Sequence, residues 1–176
     1  MNLRIKVDEL SSAEVADFLE EHIREMKAVS PPESKHALDL DGLRKPEVTF
    51  WTVWNDGNLI GCGAIQELSV DHAEIKSMRT DNSCRGKGVA SRLLQHILNE
   101  AKLRGYHRIS LETGSMPFFE PARNLYTKYG FKNCAPFSTY KEDPNSIFMS
   151  KELWTFKQPL CDRVNSASLN QSRDTI

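Results

Sequence analysis

The sequence predicts one mixed α/β (α+β) layer fold, and three observations carry the prediction. Short runs of alternating or β-branched residues interleave with segments of helical periodicity, in the order β-α-α-β-β-β-α-β-α-β-β. Turn residues punctuate these segments at short intervals. The 176 residues suffice for one sizeable core and are too few for a second independent one. A single domain is expected over 1–153, followed by a tail over 154–176. From Trp154 the periodicity fades, and Asn165–Ile176 is rich in Ser, Asn and charge, so the tail is expected to be loosely ordered.

Leu3, Ile5 and Val7 alternate with Arg4, Lys6 and Asp8 in a first half-buried strand. Ser11 and Glu14 have capping-box spacing, and Val15, Phe18, Leu19, Ile23 and Met26 continue a helix to about Ala28. Ser30-Pro31-Pro32 stops it, because proline lacks an N–H and restricts its predecessor. A short second helix is expected around His36–Arg44. Val48–Trp54 suits a strand, Asn55-Asp56-Gly57-Asn58 a tight turn, and Leu59–Leu68 the returning strand. Trp51 and Trp54 fall on opposite faces, one of them for the core. Another strand is expected over Ala73–Thr80 and a polar loop over Asp81–Gly88. Val89, Leu93, Leu94, Ile97, Leu98 and Ala101 then share one face of a helix that Gly105 ends. His107–Glu112 reads as a strand and Pro121–Tyr129 as a helix stopped by Gly130. Phe131 and Ser146–Leu153 supply the last strands.

Composition narrows the function. Lys and Arg total 23 against 24 acidic residues, which excludes a general basic footprint for nucleic acid and a polybasic membrane anchor. No apolar run approaches the ~20 residues that cross a bilayer, and residues 1–8 hold no apolar signal core. A cytoplasmic protein is therefore expected. Cys62, Cys84, Cys134 and Cys161 are far apart and form no C-x-x-C pair, so they read as free thiols. His72 and Glu74 form an H-x-E pair, but the P-C-x-x-C of zinc deaminases is absent, as is H-E-x-x-H, so no metal is expected. His22 and His96 read as solvated or core-edge residues. His36, beside Lys35 in the proline-rich loop, reads as solvated or as bordering a substrate.

The informative stretch is Arg85-Gly86-Lys87-Gly88-Val89-Ala90-Ser91, between a strand and a helix N-terminus. Two glycines let a ligand approach the backbone, and the helix start aims N–H groups and a positive dipole end at the same place. The combination suits phosphate, although a plain strand-to-helix turn uses the same residues. A Walker loop fails, because Gly86-Lys87 is followed by Gly88 and position 81 is Asp. A dinucleotide fingerprint fits Gly86, Gly88 and a strand-ending Glu112, but has Ser91 at its third glycine. It also needs a buried parallel strand where Lys76 and Arg79 stand. It stays as a rival.

Arg85, Gly88 and Ala90 match R-x-x-G-x-A, and Ala122-Arg123-Asn124-Leu125-Tyr126-Thr127-Lys128-Tyr129-Gly130-Phe131 matches A-x-x-L-Y-x-K-x-G-F. In these two segments, their order and their spacing, the chain resembles the GNAT acetyltransferase superfamily over roughly residues 3–153. The resemblance implies a mixed, mostly antiparallel central sheet flanked by helices. It implies acetyl-CoA as acetyl donor, with no metal, and transfer to a primary amine. Arg85, Gly86, Lys87, Gly88, Val89, Ala90 and Ser91 would hold the pyrophosphate. Met78, Arg79 and Thr80 would pair with the pantetheine arm, the Met78 N–H facing the thioester carbonyl. Tyr126 would reach the departing sulfur. Glu74, fourteen residues before Gly88, matches the base of the histone-acetylating branch; a salt bridge to Lys76 is its structural alternative. The chain departs from the family at Phe119, where many members carry an Asn that contacts the cofactor, and Asn124 is the candidate substitute.

Cys84 could carry an acyl group or simply pack. Arg79, Lys35 or Lys76 could bind an acceptor carboxylate. The near-neutral charge favours a small amine metabolite over protein lysine as acceptor, with a homodimer left open. The other class of function is a non-catalytic module that binds acyl-CoA. The presence of both Glu74 and Tyr126 favours the enzyme.

Overall fold

The computed structural model describes residues 1–29, 31 and 39–153. Lys35, His36, Cys161 and the tail 154–176 lie outside the described residues. The elements are β1 (Leu3–Val7), α1 (Ala13–Val29), α2 (Leu40–Leu43), β2 (Val48–Asn55), β3 (Asn58–Ser69) and β4 (His72–Thr80), then α3 (Val89–Leu103), β5 (Arg108–Gly114), α4 (Glu120–Lys128), β6 (Lys132–Asn133) and β7 (Ser146–Glu152). Their order is the one the sequence predicts.

The seven strands form one sheet in the order β1-β2-β3-β4-β5-β7-β6. Every neighbouring pair is antiparallel except β4 and β5. The two faces are packed by different helices. One core gathers Leu93, Leu94, Ile97 and Leu98 of α3 and Tyr126 of α4 against Val53, Ile75, Ile109 and Leu111 of the sheet. The other gathers Val15, Phe18 and Leu19 of α1 and Leu43 of α2 against Phe50, Cys62 and Ala64. Each large apolar side chain buried in this way contributes about 1.5–3 kcal/mol, so the amphipathic stripe of α3 fixes that helix on the sheet.

The local signals act where the sequence places them, with shifts of one or two residues. Asp56 at φ 49° and Gly57 at φ 84° give the left-handed pair of a type I′ turn, and β2 and β3 close on it. Ser12, not Ser11, caps α1, its Oγ accepting from Val15 N at 3.3 Å, so the Ser11–Glu14 capping box does not form. The described part of the second helix is a single turn at Leu40–Leu43, capped by Asp39. A 3-10 turn at Pro117–Phe119 precedes α4. Trp51 is the core tryptophan; Trp54 packs at the edge of the second core and donates to Thr52.

Candidate active site

Strands β4 and β5 pair in parallel from His72↔Arg108 to Ile75↔Leu111 and then stop, although β4 runs on to Thr80 and β5 to Gly114. The cause lies in β4. Between Ala64↔Lys76 and Cys62↔Arg79 it takes three steps for two on β3, and Ser77 sits in the left-handed region at φ 52°. This bulge bends β4 away from β5. The backbone groups of its last residues thus leave the β5 ladder and face the opening.

The opening is a cleft of about 860 Å³. At one end stands the start of α3. Gly88 is the N-cap at φ 84°, a conformation that costs a residue with a Cβ. The first-turn N–H groups of Val89, Ala90 and Ser91 have no acceptor within the helix and carry its positive dipole end. Arg85, Gly86, Gly88, Val89, Ala90 and Ser91 all line the cleft; Lys87 and Asn124 are exposed and outside its lining. Met78, Arg79 and Thr80 form the β4 wall, and Glu74 and Tyr126 both line the same cleft. This donor set, with unpaired strand backbone leading into a helix N-terminus, fits an extended arm ending in a diphosphate.

The side chain of Arg79 does not serve the cleft. It is buried, donates to the Phe18 carbonyl, stacks over the Phe18 ring, and pairs with Glu21 at 2.7 Å and Glu25 at 3.6 Å. It therefore ties α1 to β4, and only its backbone is available to a ligand. Arg85 reaches Glu25 at 3.4 Å and lies 5.7 Å from the Phe118 ring. Phe119 takes no donor role: its ring covers Gly114, where a Cβ would meet it at 2.2 Å. Cys84 lines the cleft, and its thiol lies 3.6 Å from the Ser83 hydroxyl.

Glu74 is 3 % exposed. Lys76 Nζ donates to its Oε1 at 3.0 Å, the ion pair that the sequence offers as the structural alternative for Glu74. A third member was missed: the Tyr140 hydroxyl donates to the same oxygen at 2.6 Å and accepts from Lys76 at 2.5 Å. Tyr140 sits 66 residues from Glu74 in a segment without periodicity, so no sequence pattern links them. Burial, then the Glu74 charge, push the Tyr140 phenol well above its usual range, which keeps it a donor. Tyr126 is buried against Phe131, and burial followed by the Glu112 charge raises its phenol too.

His22 and Ser77 were also missed as cleft residues. Both line the wall, and His22 Nδ1 and Ser77 Oγ are buried without a hydrogen-bond partner among the described residues. Burial, then the Arg79 charge, lower the His22 imidazole from 6.5 to about 4. The unfolded chain therefore binds this proton at a higher pH than the native one. Stability is whole above pH 6.5 and falls as pH drops from 6.5 toward 4. A His22→Leu variant should lose about 2 kcal/mol less stability than the wild type between pH 7 and pH 5, read from urea midpoints at each pH. Equal losses in both proteins would show that His22 titrates normally.

Among the described residues no helix is long and apolar enough to cross a membrane, and no group of three His, Cys, Asp or Glu side chains could hold a metal. The acetyltransferase (GNAT) family profile matches residues 13–131. The chain is 56% identical over 151 residues to the uncharacterized N-acetyltransferase YsnE of Bacillus subtilis, covering 86% of this chain and 100% of that one. It is 38% identical over 140 residues to the IAA acetyltransferase of Azospirillum brasilense, covering 79% of this chain and 90% of the relative. A solved GNAT family acetyltransferase from Elizabethkingia anophelis with acetyl-CoA bound shares the fold at a TM-score of 0.58 and 18% identity, over 86% of this chain and 99% of that one. The chain therefore belongs to the acetyltransferase (GNAT) family and is an acetyl-CoA-dependent acyltransferase.

Proposed function

We propose that the chain moves the acetyl group of acetyl-CoA to the primary amine of a small metabolite by direct attack. Glu74 takes the amine proton, and Tyr126 offers a proton to the departing sulfur. The observation that carries this reading is one cleft in which the splayed end of β4, the α3 N-terminus, Glu74 and Tyr126 all meet.

The first turn of α3 and the Gly86–Gly88 loop hold the diphosphate, and the free edge of β4 aligns the arm. The Met78 N–H is assigned to the thioester carbonyl, where a positioned donor contributes about 3 kcal/mol to the transition state. An ammonium cannot attack a thioester, so its proton must leave first, and Glu74 lines the cleft for that step. The amine nitrogen bonds to the carbonyl carbon, the carbon–sulfur bond breaks with its electron pair going to sulfur, and the nitrogen releases its second proton to solvent as the amide forms. Burial, then the Glu112 charge, keep the Tyr126 phenol protonated, and it is assigned as the hydrogen-bond donor to the resulting thiolate.

The relative named for IAA acetylation supports a small acceptor. A cytoplasmic setting agrees with separated cysteines that stay as thiols. The test is thiol release from acetyl-CoA with a panel of small amines beside lysine peptides. Turnover confined to small amines is expected; turnover on peptides alone would overturn the acceptor class. In the same assay Tyr126→Phe should lower turnover by about 10²-fold and leave acetyl-CoA affinity unchanged. Full activity would reduce Tyr126 to packing.

A further inference from the structure

We infer that Tyr140 is a positioning residue for Glu74, holding the carboxylate through Oε1 so that Oε2 takes the proton of the acceptor amine. This rests on the reading of Glu74 as the base.

The geometry is a closed triangle. Tyr140 Oη donates to Glu74 Oε1 at 2.6 Å, Lys76 Nζ donates to that same oxygen at 3.0 Å, and Lys76 donates to Tyr140 Oη at 2.5 Å. Both bonds to the carboxylate fall on one oxygen, which fixes its plane and rotamer. A Glu–Lys pair alone, two residues apart on one strand, would leave that plane free to turn. The hydroxyl comes from the segment between β6 and β7, and its ring is itself held, 5.2 Å from Phe137 and 5.4 Å from Phe148. Phe137 in turn lies 5.7 Å from His72. The segment thus carries a locked donor to the base from outside the family's matched residues 13–131.

Proton transfer is sensitive to such placement, since small displacements of a reacting group cost about 10²-fold. The donor also favours the charged carboxylate, so its loss has a direction on the pH axis. The other ionisable groups nearby are Lys76 and His72 on β4, Glu112 on β5, and His22 and Glu25, which line the cleft from α1. Burial, then the Arg108 charge, hold the His72 imidazole low.

The experiment compares wild type, Tyr140→Phe, Glu74→Gln and the double variant, each followed as kcat/KM against pH with acetyl-CoA affinity by calorimetry. Tyr140→Phe keeps the ring and should lower kcat about tenfold, leave acetyl-CoA affinity unchanged, and move the acid limb to higher pH by about one unit. The double variant should be no slower than Glu74→Gln, because Tyr140 acts only through Glu74. Should the Phe variant lose its fold, a fluorinated tyrosine at position 140 strengthens the donor and should move the limb to lower pH. An unmoved acid limb, or a Tyr140 loss that adds in full to that of Glu74→Gln, overturns the positioning role and leaves Glu74 as base. A Glu74→Gln variant at wild-type rate across the pH range overturns the base itself, and the role of Tyr140 with it.

Discussion

Glu74→Gln is expected to slow acetyl transfer by ~10² or more at neutral pH, with the deficit shrinking as pH rises and free amine becomes abundant. The substitution keeps the shape of the side chain and an oxygen for Tyr140 to bond. It removes the charge that Lys76 faces at 3.0 Å in a pair whose side chains are only 4% and 9% exposed. Taking one partner from a buried pair costs about 3 kcal/mol or more of stability. The rate must therefore be expressed per folded molecule, with the unfolding midpoint measured beside it. A stable Glu74→Gln protein with a flat rate deficit at all pH values would point to a structural loss rather than a missing base.

Gly88→Glu is expected to abolish acetyl-CoA binding while leaving a cooperative unfolding transition. No atom lies within 4 Å of where its Cβ would stand, so the fold has room for the side chain. The φ of 84° costs about 1–2 kcal/mol for any residue with a Cβ. The larger effect is on the ligand. A carboxylate at the first turn of α3 occupies the anion site and repels a diphosphate, an unfavourable juxtaposition of several kcal/mol. Calorimetry should therefore show affinity reduced by ~10² or more. Gly88→Ala separates the two causes, since it keeps the backbone strain and omits the charge. A Gly88→Glu protein with wild-type affinity would place the diphosphate elsewhere.

The sequence makes the fold legible wherever one residue pattern dictates one geometry. The stripe from Val89 to Ala101 identifies α3 because 3.6-residue periodicity needs no partner to be seen, and Asp56-Gly57 identifies the hairpin because few pairs reach left-handed φ. Such local signals fix position to within a residue or two, as the shift of the α1 cap from Ser11 to Ser12 shows. The glycine loop that opens α3 was readable for the same reason: its glycines and the helix are contiguous. The β4 bulge was not, because Ser77 carries a left-handed φ imposed by the β3 register rather than by its own preference. Arg79 reads in the sequence as a candidate carboxylate binder because its partners, Glu21 and Glu25, stand far earlier in the chain on α1 and meet it only in the fold. Tyr140 was invisible because the triangle it closes joins residues 66 positions apart, with no pattern linking them.

The most direct measurement is the amine-dependent release of CoA thiol from acetyl-CoA by the full chain, with the acetylated amine identified by mass. The expected result is release that requires both the wild-type chain and a small primary amine, and that falls at neutral pH in Glu74→Gln. Binding of acetyl-CoA at the α3 loop with no amine-dependent release, across a broad amine panel, would contradict catalysis and leave a module that only binds the cofactor.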